Sequence, residues 1–235
     1  IGNSKILNDI RKKIKLYASS LHPVSIFGES GVGKDLVARL IHQWSPFSLG
    51  IYEPINVSCI PQGLAESFFF GSVEGAFTDA KETKGVFERV NQGTLFLDEI
   101  TTLDPVIQPK LLRVIEDFTV RPLGSGDSRT VRFKLVCASN IPIEHAVTEG
   151  KFREDLMYRI DYHRIEIPPL RKHLEDIPQI AAHTLKTQNK LLSAAALDKL
   201  NNYHWPGNVR QLIQCLSRAS AETNDEIIYP EQIEF

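Results

Sequence analysis

Residues 23–44 read PVSIFGESGVGKDLVARLIHQW, and the fold follows from how that stretch divides. PVSIFG (23–28) is a short apolar run ending in glycine, the pattern of a buried strand. DLVARLIHQW (35–44) has helical periodicity. Between them GESGVGK (28–34) fits the Gly-x-x-x-x-Gly-Lys phosphate loop. Three fixed positions match by chance often enough that the flanking strand and helix must carry the assignment, and both are of the required type. Glycine lets backbone N–H groups curl around phosphate oxygens without a Cβ in the way. The helix start adds donors and a favourable dipole, and Lys34 supplies a point charge for the β- and γ-phosphates. Position 35 holds Asp where the general motif has Ser or Thr for Mg²⁺; a carboxylate can serve that metal directly or through water. The bland alternative is a glycine-rich turn with no ligand.

The next element outward is TLFLDEI (94–100), mostly apolar and running into Asp98-Glu99. A buried strand ending in two carboxylates suits a nucleotide site: Asp98 would hold Mg²⁺ and Glu99 would polarise the attacking water. Seen alone, the pair also fits a structural acid cluster. Further strand-like runs stand at PINVSC (54–59), FKLVCAS (133–139) and YHRIEI (162–167), separated mostly by helical segments such as VIQPKLLRVIEDF (106–118). Strands alternating with helices predict an α/β fold with a parallel sheet covered on both faces. Leu7, Ile10, Ile14 and Tyr17 recur at helical spacing behind a cap at Asn3 or Ser4. After IPPL (167–170) only helical patterns follow, including an apolar stripe at Val209, Leu212, Ile213 and Leu216. The change near Pro168-Pro169 predicts an α/β subdomain over 1–168 and a small helical one over 169–235.

Bulk properties exclude more than they assign. With 235 residues the chain has ample length for one α/β domain and a satellite. A formal net charge of −2 offers no basic field for nucleic acid, and no apolar run approaches a membrane span. A cytosolic protein is expected. Cys59, Cys137 and Cys215 lack paired spacing, so reduced, buried thiols are expected rather than disulfides or zinc. The abrupt ends suggest a domain excised from a longer protein. One stretch resists this frame: EGAFTDA (74–80) makes a poor strand and a poor helix, yet places Phe77 in a small, glycine-flanked segment expected to be mobile.

With these pieces placed, the sequence resembles the AAA+ domain of bacterial enhancer-binding proteins, the ATPases that activate sigma-54 RNA polymerase. The likeness covers essentially the whole chain and rests on GESGVGKDLVARLIH, EGAFTDA, GTLFLDEI, GKFREDLMYRI, IPPLRKHLEDI and YHWPGNVRQL. It implies a P-loop fold with a helical lid, ATP and Mg²⁺ as ligands, and an acidic residue after the loop lysine, which accounts for Asp35. It implies that Ile1 and Gly2 pack on adenine. The nucleotide would then be held by Gly28, Glu29, Ser30, Gly31, Val32, Gly33, Lys34 and Asp35, with Asp98 and Asp35 on the metal. Asn140, after Ser139, would sense the γ-phosphate, and Asn56 would park Glu99 until the right nucleotide state. Arg153 and Arg159 would reach into a neighbouring subunit's site, and Arg210 would be the lid arginine. Pairing of the first two with Glu154, Asp155 or Asp161 is the plain alternative.

The same resemblance implies a head-to-tail homo-oligomeric ring, a hexamer or heptamer, since an arginine supplied in trans is worth roughly 10³–10⁵ in rate. It also implies that Gly75, Ala76, Phe77, Thr78, Asp79 and Ala80 form the loop that contacts sigma-54 under nucleotide control. Family consensus there is Gly-Ala-Phe-Thr-Gly-Ala, so Asp79 departs from it, and so does GSV (71–73) where the family has Gly-His-Glu. Either the loop still remodels sigma-54 with altered affinity, or the member regulates transcription without engaging it; a non-hydrolysing nucleotide switch is the other alternative. Phe77 packed in the core is the plain reading. RPLGSGDSRT (121–130) is either a second loop near the same face or a hairpin connection. DNA contact would come through a helix-turn-helix module that relatives carry beyond this region.

Overall fold

The computed structural model describes residues 2–76 and 81–235. A five-stranded sheet is built from β1 (Val24–Phe27), β2 (Tyr52–Asn56), β3 (Thr94–Asp98), β4 (Lys134–Ser139) and β5 (His163–Glu166) in the order β2-β3-β4-β1-β5. The β2–β3, β3–β4 and β4–β1 pairs are parallel, and their registers set Asn56 beside Asp98, Leu97 beside Cys137 and Phe27 beside Ser139. The carboxyl ends of these four strands are therefore nearly level, the edge at which open α/β sheets place their ligands. Continuous apolar runs such as LVCA in β4, buried along its whole length, are what a sheet covered on both faces requires.

Ten helices accompany the sheet among the described residues: α1 (Lys5–Ala18), α2 (Lys34–Trp44), α3 (Gln62–Phe70), α4 (Val86–Arg89), α5 (Ile107–Asp117), α6 (Ile143–Thr148), α7 (Glu154–Ile160), α8 (Ile177–Lys186), α9 (Ala194–Asn201) and α10 (Asn208–Glu222). Ser4 caps α1, its Oγ accepting the Leu7 N–H at 3.3 Å. The strand expected at 54–59 instead runs 52–56, because the Asn56 side chain accepts the Ser58 N–H and turns Val57–Cys59 into a single 3₁₀ turn. The strand expected at 94–100 stops at Asp98, since Glu99 turns left-handed with φ 55°. The 121–130 segment is a hairpin connection whose strands, Thr119–Val120 and Arg129–Thr130, pair antiparallel.

The chain separates into two compact units, one of residues 1–12, 28–34 and 166–235, the other of 13–27 and 35–165. The second has an aromatic heart. ESFFFG closes α3, and the Phe69, Phe70 and Phe133 rings lie 5.8, 5.3 and 5.7 Å from Phe87. Such pairs add about 0.5–1.5 kcal/mol each beyond area burial. Lys134 is fully buried in β4, and its Nζ donates to the carbonyls of Tyr17, Ser20 and His22 at 2.9, 2.6 and 2.7 Å. The first unit packs α8, α9 and α10 around Trp205, whose Nε1 donates to the Leu200 carbonyl at 2.9 Å. The inward face of α10 is Leu212, Cys215, Leu216 and Ala219. Ile213, placed in the stripe by spacing, is 41% exposed, because the face has drifted around the helix. All three cysteines are free; Cys137 and Cys215 are buried, but Cys59, on the 3₁₀ turn after β2, is exposed rather than buried.

Candidate functional site

The loop Gly28–Lys34 belongs to the same compact unit as the C-terminal helices. Gly31 and Gly33 take φ of 80° and 96°, the left-handed region in which glycine alone is unstrained. Lys34 opens α2 and folds its ammonium over the loop it follows, donating to the carbonyls of Gly28 at 2.7 Å and Glu29 at 3.2 Å. A turn of this kind at a helix start, with a cation over it, fits a polyphosphate chain. Val32 lies against Gly28, where an added Cβ would also stand 2.8 Å from the Ile167 carbonyl.

The loop is stitched to the start of α10. The Arg210 N–H donates to the Gly31 carbonyl at 3.1 Å, and its guanidinium reaches Ser30 Oγ at 3.4 Å. Asn208, buried and at φ 54°, donates from Nδ2 to the Ser30 carbonyl at 3.0 Å and to Glu29 at 3.1 Å. Its Oδ1 accepts the Leu170 N–H at 2.9 Å. Arg171 adds a fork to the two oxygens of Glu29, at 2.9 and 2.6 Å. The hydrogen bonds from Arg171 and then Asn208 hold the Glu29 carboxyl down at about 2. In the same unit, Asp176 accepts the N–H groups of Asn3 and Ser4 at 2.7 and 2.8 Å and so fixes the stretch after Gly2. Gly2 itself is buried with φ 94°, and its carbonyl accepts from Arg11. Ile1, expected to contact adenine, lies outside the described residues.

The other unit carries the carboxylates and the trans-acting candidates. Asp35 is exposed in the first turn of α2, and Asp98 ends β3, where its Oδ1 accepts the Glu99 N–H at 2.9 Å. Asp35 and Asp98 both act on the buried Tyr52 phenol, which burial first, and then these two carboxylates, push up to about 12. Oxygen donors of this kind suit Mg²⁺, which keeps water and phosphate ligands rather than taking a full protein cage. Among the described residues no group of three metal-ligating side chains forms one. Asn56 sits beside Asp98 across the β2–β3 register. Its Oδ1 is taken by Ser58, at 3.0 Å to N and 2.7 Å to Oγ, and no hydrogen bond joins it to Glu99 among the described residues. Asn140 is exposed just past the end of β4, while Ser139 turns inward, its Oγ accepting the Ile141 N–H at 3.2 Å.

Arg153 caps α7 and is clamped by Asp155, with bonds of 3.0 and 2.7 Å. Its plain alternative is what the side chain does here. Among the described residues Arg159 pairs with none of the acids considered for it; Asp161 is engaged by Arg164 at 2.7 Å. Arg159 is exposed and lines an apolar hollow of about 280 Å³ with Leu21, Phe118 and Tyr162.

Gly75 and Ala76 begin the loop expected to contact sigma-54, Gly75 with φ 78°; Phe77, Thr78, Asp79 and Ala80 lie outside the described residues. The stem is an antiparallel pair, Gly71–Ser72 with Thr83–Lys84. Leu123 of the hairpin connection exchanges hydrogen bonds with Gly71 and Val73 at 2.9 and 3.0 Å, and Gly124 packs on Ala76. The two segments therefore share a base.

A family model described as the sigma-54 interaction domain matches residues 1–166, and one for an AAA+ ATPase lid domain matches 171–235. The chain belongs to the sigma-54 interaction domain family. It is an AAA+ P-loop α/β protein with a helical lid. Among related members, the response regulator PilR of Pseudomonas aeruginosa is 41% identical, the match covering 99% of this chain and 54% of PilR. A Nif-specific regulatory protein of Azospirillum brasilense is 42% identical over 89% of this chain and 35% of its own length. The chain thus spans about half, or less, of these relatives. Solved structures of NtrX from Brucella abortus, in complex with ATP and with ADP, superpose with TM-scores of 0.91 and 0.90 at 28% identity. They cover 100% of this chain and 54% of NtrX.

Within this family frame, the loop, the acid pair and Arg210 were all legible as motifs. Arg171 and Asn208 were not singled out, although both lie in the quoted stretches IPPLRKHLEDI and WPGNVRQL. No spacing rule links a loop glutamate to an arginine 142 positions later.

Proposed function

We propose that this chain is the ATP-hydrolysing domain of a transcriptional regulator that acts on sigma-54 RNA polymerase through the loop at 75–80. The observation that carries the reading is the Gly28–Lys34 turn, with two positive-φ glycines and the Lys34 ammonium laid over it. ATP in the related NtrX structure supports it. On this reading, Lys34 and the loop N–H groups hold the β- and γ-phosphates, and Asp35 and Asp98 would hold Mg²⁺, which would supply charge neutralisation. Glu99 orients and polarises the attacking water, Asn56 restrains Glu99, and Asn140 and Arg210 sense the nucleotide. Arg153 and Arg159 act in trans within a hexameric or heptameric ring. Arg153 must first leave Asp155, so Arg159 is the readier of the two. The protein works in the bacterial cytoplasm, its two subdomains spanning 1–168 and 169–235.

The test has two arms. Purified chain should release phosphate from ATP, and Glu99→Gln should abolish release while leaving ATP binding intact. Sigma-54 should co-elute with the chain in the presence of an ATP transition-state analogue. Hydrolysis without co-elution, reversed by Asp79→Gly, would assign the chain to a diverged member. No hydrolysis under any assembly condition would leave a nucleotide switch.

A further inference from the structure

We infer that Arg171 is a positioning and charge-compensating residue for the phosphate site, holding the Glu29 carboxylate away from a bound polyphosphate; the inference rests on the nucleotide reading above. Glu29 is an anomaly in its own loop. An ionised carboxylate one residue into a turn built to receive anions opposes their binding. The geometry shows how the conflict is resolved. Arg171 approaches both carboxylate oxygens in a fork, at 2.9 and 2.6 Å, and Asn208 adds a third donor at 3.1 Å. Paired guanidinium–carboxylate forks of this kind fix direction as well as charge. With its side chain held by Arg171 and Asn208, Glu29 presents its backbone inward, where its carbonyl receives Lys34 at 3.2 Å. Asn208 then secures the next residue through the Ser30 carbonyl at 3.0 Å. The three side chains and the loop all lie within one compact unit.

Arg171 is exposed, so the pair contributes little to stability, and its effect belongs to ligand affinity. Removing the guanidinium leaves a full negative charge beside the phosphates, a repulsion that grows with ligand charge and is screened by salt. Arg171→Met should therefore weaken ATP binding by about five- to tenfold at low ionic strength, ADP less, and AMP least. The loss should shrink in high salt. Adding Glu29→Gln to Arg171→Met should restore ATP affinity to within about twofold of the wild-type chain, because the charge needing compensation is gone.

Isothermal titration of ATP, ADP and AMP into the four proteins of this cycle decides the matter. Unchanged ATP affinity in Arg171→Met overturns the inference. So does a loss that Glu29→Gln fails to rescue, since Arg171 would then be touching the nucleotide itself. Thermal unfolding without ligand shows whether any variant has failed to fold, and Arg171→Lys, which keeps the charge but not the fork, should fall between wild type and Arg171→Met. A wild-type chain that binds no ATP removes the nucleotide reading and this inference together. Wild-type binding that is indifferent to Arg171 removes the inference alone.

Discussion

Lys134 shows how much a single residue can carry outside any motif. It is the first residue of β4, fully buried, with three backbone carbonyls as its only described acceptors. Those carbonyls belong to the last turn of α1 and the link into β1, groups that a helix end leaves without partners. The ammonium thus replaces its lost hydration with three dipoles, although burial still pulls its pKa down to about 8. Lys134→Met preserves the apolar stem and removes the donors. The expected loss is about 3 kcal/mol, from buried carbonyls left unsatisfied. For a chain of this length that lowers the melting temperature by roughly 6–12 °C, read by thermal unfolding. An unchanged melting temperature would show that the carbonyls find water instead. In the sequence, Lys134 stands inside the strand-like run FKLVCAS (133–139), and nothing local marks it as buried. Only the packing of residues 17–22 on β4 turns it inward.

At the scale of elements, the strands were readable as short apolar runs and the long helices by their 3.6-residue period, both of which are local properties. The stem of the 75–80 loop was not. It depends on two glycines that cross at close range. A Cβ on Gly85 would stand 2.4 Å from the Gly71 nitrogen, the Phe69 carbonyl oxygen and the Phe70 carbonyl carbon, all backbone. Neither strand of the stem exceeds two residues, too short for periodicity to register. Gly85→Ala should therefore force the two strands apart and destabilise the chain by about 2–4 kcal/mol. Amide exchange at Gly71–Val73 and Leu123 should accelerate more than exchange in β3 or β4. Uniform acceleration everywhere would mean that the stem is no independent element. The aromatic run 68–70 was likewise unassigned from sequence, since an apolar triplet fits strand and helix equally; in the fold Phe87 packs on two of its rings, Phe69 and Phe70, with the run in helix.

For the whole molecule, the sheet order β2-β3-β4-β1-β5 brings strands from distant parts of the chain into register. Asn56, Asp98 and Ser139 thereby reach the same edge of the sheet. The proposed chemistry also needs arginines from another copy, and Arg159, exposed beside an apolar hollow, is placed to be offered outward. ATPase activity per chain should therefore rise steeply with protein concentration and plateau once rings form. Arg159→Ala should reduce the plateau by about 10³-fold or more while ATP still binds. Specific activity that stays flat over a wide dilution series would locate catalysis within one chain.

The phosphate loop, the acid pair after β3 and the alternation of strand with helix could be derived from residues alone, because each is a contiguous pattern whose physics acts over a few neighbours. The partners of Glu29, Asp176 and Lys134 could not. They lie 142, 173 and more than 110 positions away along the chain, and nothing local signals which of many candidates will meet. Hydrogen bonds of that reach form only when the chain closes and brings distant segments together, whether to match buried groups such as Asp176 and Lys134 or at the surface, so the fork from Arg171 to Glu29 emerges only in the folded molecule.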